Sequence, residues 1–505
     1  MSDASAADTR GQATVVVVSL LLVVSTLVPV SVFLTGGTID PTTGDDVPDI
    51  DTADVPESTV PDAETRREAR TRQQIRDRLG VVDQRDALRS VGAFEAHTHG
   101  VTGAGVTVGV VGKSFASDAE SIETRVGGHE RFGGRRRANV DTGHGTAVAE
   151  IVANTAPEST LYLAAVGEEP TTDRYDDAVR WLVERDVDVV VDAGSYFPKT
   201  ANDSASLSQT AQYAIDNGVI YVTSAGNYAG HHWSGTGTES GWVTFAGETQ
   251  ANALGDGPLS GRVSLRAQWD SRADYDLYLY RDLPGSDDPV VAKSTRRRFG
   301  GMEAIDVVVP RGQYYLAVYA HDGVSDPGTV QVFSARHRLA TTDAVGSVAA
   351  PTTGAGIITV GAVGPDDTVR SYSSLGADGT VDLSAPDGVE TDSVGAFYGT
   401  SAATPFVGGA AALVASQGNF TPAETEYILE RTSRENGLNA YAAVSAASRP
   451  FDVPESAVTG RPGGARAETP ANATVPANAT VSANATVSAN RTATDDANAT
   501  AARAP

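Results

Sequence analysis

The chain has 505 residues, enough for two or three domains with a large core. It carries 64 acidic and 38 basic residues, a formal net charge of −26, which argues against a nucleic-acid partner. There is no cysteine, so disulfides and Cys-ligated zinc are excluded. The acidic side chains repel one another in dilute salt, whereas salt at about 1 M shortens the Debye length to roughly 3 Å and screens this repulsion. The acidic, lysine-poor composition therefore favours a halophilic source.

The N-terminal segment is apolar from residue 13 to residue 34, interrupted only by Ser, Thr and Pro29. This length can cross a bilayer core of about 30 Å, and it exceeds the roughly 7 to 15 apolar residues of a signal peptide. Residues 1–35 therefore predict an uncleaved transmembrane anchor, with a signal peptide and secretion as the alternative. Arg10 before the segment and Asp40 after it orient the rest of the chain outward, as a single-pass protein of the cell membrane.

Two segments connect this anchor to the main body. Residues 36–62 are rich in Thr, Asp, Pro and Gly and have few bulky apolar side chains, which predicts a disordered stalk. Residues 63–100 begin with an Arg-rich helical pattern that ends near Gly80, which predicts a helical N-terminal extension. We interpret its basic side chains as a solvated face rather than a membrane-binding one.

Apolar strands alternate with helices over residues 101–230 and again over residues 346–450. The predicted strands are residues 106–111, 161–166, 187–191, 219–224 and 357–363. The predicted helices are residues 172–184, a helix ending at residues 213–217, and residues 401 to about 415. Continuous apolar strands separated by helices are typical of a parallel sheet covered on both faces, so the predicted fold class is α/β.

Residues 231–345 have a different period. Short β-rich runs at residues 263–269, 276–280, 305–309 and 313–319 are bounded by Gly, Pro and Asp. This pattern predicts an all-β antiparallel sandwich inserted into the α/β domain. Its sequence contains no recognisable site, which leaves open a role in substrate positioning and a role in packing or salt stability.

Residues 451–505 form a polar, low-complexity repeat that cannot pack a core. We predict a disordered tail with N-glycans on its Asn-x-Thr acceptors, which also favours a location outside the cytoplasm. These acceptors are Asn472, Asn478, Asn484, Asn490 and Asn498.

Three small-residue segments contain the candidate catalytic residues. His144 lies in Gly-His-Gly-Thr-Ala-Val-Ala, Asn227 ends Ser-Ala-Gly-Asn, and Ser401 lies in Gly-Thr-Ser-Ala-Ala-Thr-Pro. A serine hydroxyl is a poor nucleophile until an imidazole takes its proton, and the oxyanion that follows needs preorganised N–H donors. These residues could supply a base, an oxyanion donor and a nucleophile. Pro405 is expected in the first turn of the Ser401 helix, where its missing N–H has no intrahelical partner.

The order His, Asn, Ser in these segments resembles the subtilisin-type serine peptidases over roughly residues 100–448. The resemblance implies a subtilisin-like, mainly parallel sheet with helices on both faces. It also implies an endopeptidase that cleaves proteins or peptides through an acyl-enzyme on Ser401, and we expect no cofactor and no metal. With the acidic composition and the insert, it indicates a haloarchaeal-type member. An esterase of the α/β-hydrolase class would need Gly-x-Ser-x-Gly, but Ala403 follows Ser401 by two residues.

The third catalytic residue of that family, an Asp at the end of the first core strand, is missing. The strand ends in Gly112-Lys113-Ser114-Phe115, so Gly112 or Lys113 stands where the resemblance expects the Asp. Asp118 is the nearest carboxylate downstream, and we predict that it replaces the missing partner of His144. The alternative is an impaired or inactive relative that binds peptides or partners at the cell surface.

Overall fold

The computed structural model describes residues 80–133, 141–295, 301–321, 326–351, 356–379, 381–434 and 437–449. The predicted anchor, stalk and glycosylated tail, and the extension up to residue 79, lie outside these residues. Among the residues described, no helix is both long enough and apolar enough to cross a membrane.

A seven-stranded parallel sheet forms the centre of the fold. Its strands are β1 Thr107–Gly112, β2 Val126–Arg131, β3 Thr160–Ala165, β4 Val189–Asp192, β5 Ile220–Ser224, β13 Ile357–Val363 and β14 Leu383–Pro386. The strand order is β14-β13-β5-β4-β1-β3-β2, and every neighbouring pair is parallel. The predicted α/β class is confirmed.

Helices cover both faces of this sheet. They are α1 Gln84–Ser90, α2 Ala93–Thr98, α3 Gly143–Thr155, α4 Thr172–Val183, α5 Ala201–Asp216, α6 Thr400–Ala415, α7 Pro422–Thr432 and α8 Ala440–Ala447. Val189 and Val191 of β4 share a core with α3 and α6, whereas Val190 shares the opposite core with α4 and α5. Successive side chains of a strand point to opposite faces. Because both faces of β4 are buried, consecutive residues of this strand must be apolar, which explains the three consecutive valines.

The insert between β5 and β13 is one antiparallel sheet. Its strands are β6 His232–Thr236, β7 Gly241–Trp242, β8 Asn252–Trp269, β9 Tyr275–Asp282, β10 Val290–Ser294, β11 Met302–Ala320 and β12 Thr329–Ser334. The strand order is β10-β9-β11-β8-β12-β6, with β7 beside β11. The two runs predicted at 305–309 and 313–319 are a single strand, β11. Its register against β8 shifts between Val309 and Tyr314, which interrupts the alternation.

Parallel strands end at the same edge of a sheet, and this edge collects the candidate residues. β1 ends at Gly112, β4 at Asp192 and β5 at Ser224. The loops that follow these strands contain Phe115, Ala193 and Asn227. Helices α3 and α6, which pack in one core, begin next to His144 and Ser401. A short hairpin, β15 Val389–Thr391 and β16 Gly395–Phe397, precedes α6.

Candidate active site

Ser401 is the second residue of α6, a helix whose other side chains are buried from Thr400 to Val414. Its hydroxyl donates to the backbone carbonyl of Ala193 at 2.9 Å. The positive end of the helix dipole lies at this residue, where it favours negative charge on a bound intermediate. Pro405 lies beyond the first turn, contrary to expectation, and its missing N–H leaves the Ser401 carbonyl without its i+4 donor.

The backbone before Ser401 is fixed by a buried carboxylate. Gly399 caps α6 at a φ of 100°, and its N–H donates to Asp387 at 2.9 Å. Asp387 has no exposed surface, pairs with Arg370 at 2.5 Å, and accepts a hydrogen bond from the hydroxyl of Tyr372. The sequence analysis did not find Asp387, because the partners of this carboxylate are brought together only by the fold.

Asn227 lies directly beside the start of α6. Its Oδ1 accepts from the Thr400 N–H at 3.0 Å and from the Thr400 hydroxyl at 3.3 Å. A Cβ on Gly399 would lie 2.6 Å from Nδ2 of Asn227, so this close approach requires glycine at position 399. Because Oδ1 faces Thr400, the Nδ2 group is left to donate elsewhere. The structure thus brings Asn227 into contact with Thr400, the residue directly before Ser401, and its role as an oxyanion donor stays a prediction.

His144 is the second residue of α3, and its ring meets Phe397 edge to face at a centroid distance of 5.3 Å. Phe397 precedes Ser401 by four residues, so the His144 ring contacts the segment that leads into the nucleophile helix. Nδ1 is buried, and no residue in the described part of the chain forms a hydrogen bond with it. Burial lowers the His144 pKa, and Lys113 lowers it further, while Asp141 and Glu168 oppose the shift.

Phe115 occupies the space in which a side chain at position 112 would lie. A Cβ on Gly112 would be 2.8 Å from Cζ of Phe115, and a Cβ on Gly145 would be 3.0 Å from Cε1 of the same ring. Phe115 is 1% exposed, so the ring is wedged between the end of β1 and the backbone that follows His144. An apolar ring therefore fills the space beside Gly112, one of the two positions at which the resemblance expects the Asp. The sequence signal for this contact is a single aromatic residue in the loop after β1, which indicates a buried ring but not the side chain that it packs against.

Two side chains remain to be placed: Lys113, at the other position where the resemblance expects the Asp, and Asp118, the predicted replacement. Both lie at the surface. Lys113 pairs with Glu168 at 3.5 Å, and both side chains are 55% exposed. Asp118 is exposed in a turn, and the charged groups that shift the His144 pKa are Lys113, Asp141 and Glu168 rather than Asp118. The role proposed for Asp118 stays a prediction.

The missing acceptor affects which tautomer of His144 is populated. To take a proton from Ser401, the neutral imidazole must carry its own proton on Nδ1 and leave Nε2 free. A buried Nδ1–H without an acceptor costs about 1–3 kcal/mol. A buried Nδ1 lone pair without a donor is unsatisfied as well, so no described residue holds His144 in the tautomer that takes the Ser401 proton.

A carboxylate cluster elsewhere is the candidate cation site among the described residues. Asp382, Glu426 and Glu430 place oxygens within 4.8 Å of one another, on α7 and the loop before β14. Burial and the two neighbouring carboxylates raise the pKa of Glu426 to about 8. A proton on Glu426 thus relieves the repulsion near neutral pH. The three carboxylates lie on other elements than those that contain His144, Asn227 and Ser401.

The fold and the placement of these side chains define a subtilisin-like α/β protein. The chain belongs to the Subtilase family, whose sequence model matches residues 48–278 and 313–451. It is 27% identical over 175 residues to the major intracellular serine protease of Bacillus subtilis (strain 168), a match to 31% of this chain and about half, 53%, of that relative.

Solved structures show the same fold. The CspB protease of Clostridium perfringens has a TM-score of 0.55 at 16% identity, over 72% of this chain and 99% of that one. A lanthipeptide protease has a TM-score of 0.43 at 14% identity, over 72% of this chain and 96% of that one. At 16% identity the CspB structure supports the fold alone.

Proposed function

We propose that this chain is a serine endopeptidase of low intrinsic rate that acts outside the cytoplasm, with Ser401 as nucleophile and His144 as base. The observation that carries the proposal is that Asn227 bonds to Thr400, the residue directly before Ser401. A serine on the first turn of a buried helix lies next to an amide whose oxygen is held by Thr400 and whose nitrogen is free to donate. This arrangement suits the attack of a hydroxyl on a carbonyl.

The proposed reaction has the following steps. The Ser401 hydroxyl leaves the Ala193 carbonyl, passes its proton to Nε2 of His144, and Oγ bonds to the peptide carbonyl carbon. Nδ2 of Asn227 donates to the oxyanion that forms. His144 then gives the proton to the departing amine, which leaves an ester on Ser401. A water molecule, activated by the same imidazole, releases the acid and restores the hydroxyl.

The rate is limited by the population of the productive tautomer and by the absence of a charge that stabilises the imidazolium. In serine peptidases, the loss of the carboxylate partner lowers kcat by about 10⁴-fold while the remaining groups still outpace water. We expect a loss of this order here, because Phe115 supplies neither an acceptor nor a charge. Peptide cleavage remains the proposed activity, at a rate suited to a regulated or infrequent event.

The second candidate is an inactive relative that binds peptides or partners at the cell surface. Nδ1 of His144 has no hydrogen-bond partner among the described residues, and the Phe115 ring lies beside Gly112; both observations favour this candidate. A digest of unfolded casein separates the two candidates, with Ser401→Ala as the matched variant. Slow cleavage by the wild type and none by Ser401→Ala supports the peptidase. Equal cleavage, or none by either folded protein, supports the binding protein.

The location rests on the sequence. The apolar segment at residues 13–34 and the Asn-x-Thr array support a single-pass anchor with the catalytic unit outside and with glycans on the tail. Protease added to intact cells should then remove the catalytic unit, while the membrane fraction retains the full-length chain. A mature soluble protein that starts after residue 34 would replace the anchor with a signal peptide.

A further inference from the structure

A cleft of about 770 Å³ separates the parallel-sheet unit from the inserted antiparallel sheet. One wall contains Ser195, Tyr196 and Tyr228, and the opposite wall includes Arg262 and Arg336 of the insert. Ser195 is two residues beyond Ala193, whose carbonyl accepts from Ser401, and Tyr228 directly follows Asn227. The cleft lining therefore includes the sequence neighbours of Ala193 and Asn227, and the insert forms part of it.

The wall formed by the insert is held rigidly against the catalytic unit. Arg266 of β8 is buried and donates to the carbonyls of Phe197, at 3.1 Å, and Pro198, at 2.7 Å. It also pairs with Asp306 at 3.1 Å. The ring of Phe197 meets that of Tyr228 edge to face at 4.8 Å. A rigid wall holds its side chains in fixed positions relative to Ser401, as recognition of a substrate requires.

Most cations of this cleft already have carboxylate partners. The pairs are Lys113 with Glu168, Lys199 with Asp306, Arg266 with Asp306, and Arg262 with Glu169. Arg336 is the exception: it is exposed, and no carboxylate in the described part of the chain pairs with it. Burial raises the pKa of the Tyr228 hydroxyl, and the nearby positive charge of Arg336 lowers it. The remaining carboxylate of the lining, Asp203, lies in the first turn of α5.

We propose that this cleft selects peptides with an Asp or Glu side chain close to the scissile bond, and that Arg336 binds that carboxylate. The proposal rests on the proposed function, because it takes peptides as the substrates of Ser401. An Arg guanidinium binds a carboxylate through two parallel hydrogen bonds. Because the other cations of the cleft are paired with carboxylates of the chain, Arg336 is the cation available to a carboxylate of the substrate. On a chain of net charge −26, such a cation is a local point of attraction.

The test measures binding rather than cleavage, in the full-length chain with Ser401→Ala. Fluorescent Ala-based octapeptides carry one Glu, moved along the sequence, and each is matched by the same peptide with Gln. Anisotropy titrations should show about tenfold tighter binding of the Glu peptide at one or two positions, as expected for a charge-assisted hydrogen bond. Arg336→Gln should abolish this preference, and Arg336→Glu should reverse it. Arg338→Gln, an exposed change two residues away and outside the cleft lining, should leave it intact.

Equal binding of Glu and Gln peptides at every position would overturn the inference, and so would a preference that survives Arg336→Gln or an absence of peptide binding. Matching circular dichroism spectra of the variants exclude a folding defect. Failure of the proposed function has a different signature. In that case the Glu preference is present in the binding assay, but the wild-type serine cleaves none of the same peptides.

Discussion

Phe115 lies against Gly112, and a Cβ on Gly112 would be 2.8 Å from Cζ of the phenylalanine ring. Two features of the site follow from this contact. Position 112 has no room for a carboxylate, and Nδ1 of His144 faces surroundings in which no described residue accepts its proton. The departure from the family pattern therefore involves two residues, so restoring a carboxylate requires a change at both.

The first prediction is a paired restoration. Gly112→Asp alone should not raise activity, because the new side chain collides with the Phe115 ring. In the double variant, Phe115→Leu replaces the ring with a smaller apolar side chain, and Gly112→Asp places a carboxylate beside His144. Peptide cleavage should then rise by up to about 10⁴-fold in kcat. The matched control is Gly112→Asn with Phe115→Leu, which has nearly the same shape without the charge. A rise in the Asn control equal to that in the Asp variant would exclude the electrostatic explanation.

The second prediction concerns pH. Burial and Lys113 hold the His144 pKa below its usual 6.5, so neutral His144 persists to more acidic pH than in the unfolded chain. Its contribution to stability is complete above 6.5 and declines as the pH falls from 6.5 through the lower folded-state pKa. The acid limb of kcat/KM should accordingly have its midpoint below 6.5.

Two variants test the charges behind this shift. Lys113→Gln should move the midpoint upward and Glu168→Gln should move it downward, since the first charge lowers the pKa and the second raises it. At about 1 M salt both shifts should shrink, because these side chains are exposed, whereas the effect of burial should remain. Shifts of the same sign in the two variants would be inconsistent with this assignment.

The third prediction concerns the oxyanion donor. Asn227→Ala removes Nδ2 and should lower kcat by about 10²–10³-fold with a smaller change in KM, because the amide acts mainly on the transition state. The Thr400 N–H loses its acceptor in the same variant. Asn227→Asp keeps an oxygen for Thr400 but removes the donor, so it should lose as much activity as Asn227→Ala while retaining more of the stability. Full activity in Asn227→Asp would remove this residue from the mechanism.

The general architecture was predictable from local pattern, whereas the state of the site was not. Valine runs such as 189–191 specify strands buried on both faces. His144, flanked by two glycines, and Ser401, two residues after Gly399, mark helix starts at the edge of the sheet. The path of the loop after β1 decides which side chain fills the space beside Gly112, and no spacing in the sequence encodes that path. The register shift within β11 was likewise hidden, because it resembles a turn.

The fourth prediction concerns the ion pair of Asp387 and Arg370, next to the backbone that precedes Ser401. Asp387 has no exposed surface and holds both Arg370 and the Gly399 N–H. Asp387→Ala leaves the Arg370 charge without its partner and should cost about 3–5 kcal/mol of the free energy of unfolding. Thermal or denaturant unfolding measures this loss. The double variant Asp387→Ala with Arg370→Met should be less destabilised than Asp387→Ala alone. Asp256→Asn, at an exposed carboxylate of the insert, should change little.

The central claim is that Ser401 is a nucleophile that depends on His144 even though no carboxylate in the described part of the chain bonds to Nδ1 of His144. The most direct measurement is the rate at which a fluorophosphonate probe labels Ser401, located by mass spectrometry, in the wild type and in His144→Ala. We predict slow labelling of the wild type at Ser401 and none above background in His144→Ala, with both proteins folded by circular dichroism. Labelling that is equal in the two proteins, or absent from the folded wild type, would contradict the claim.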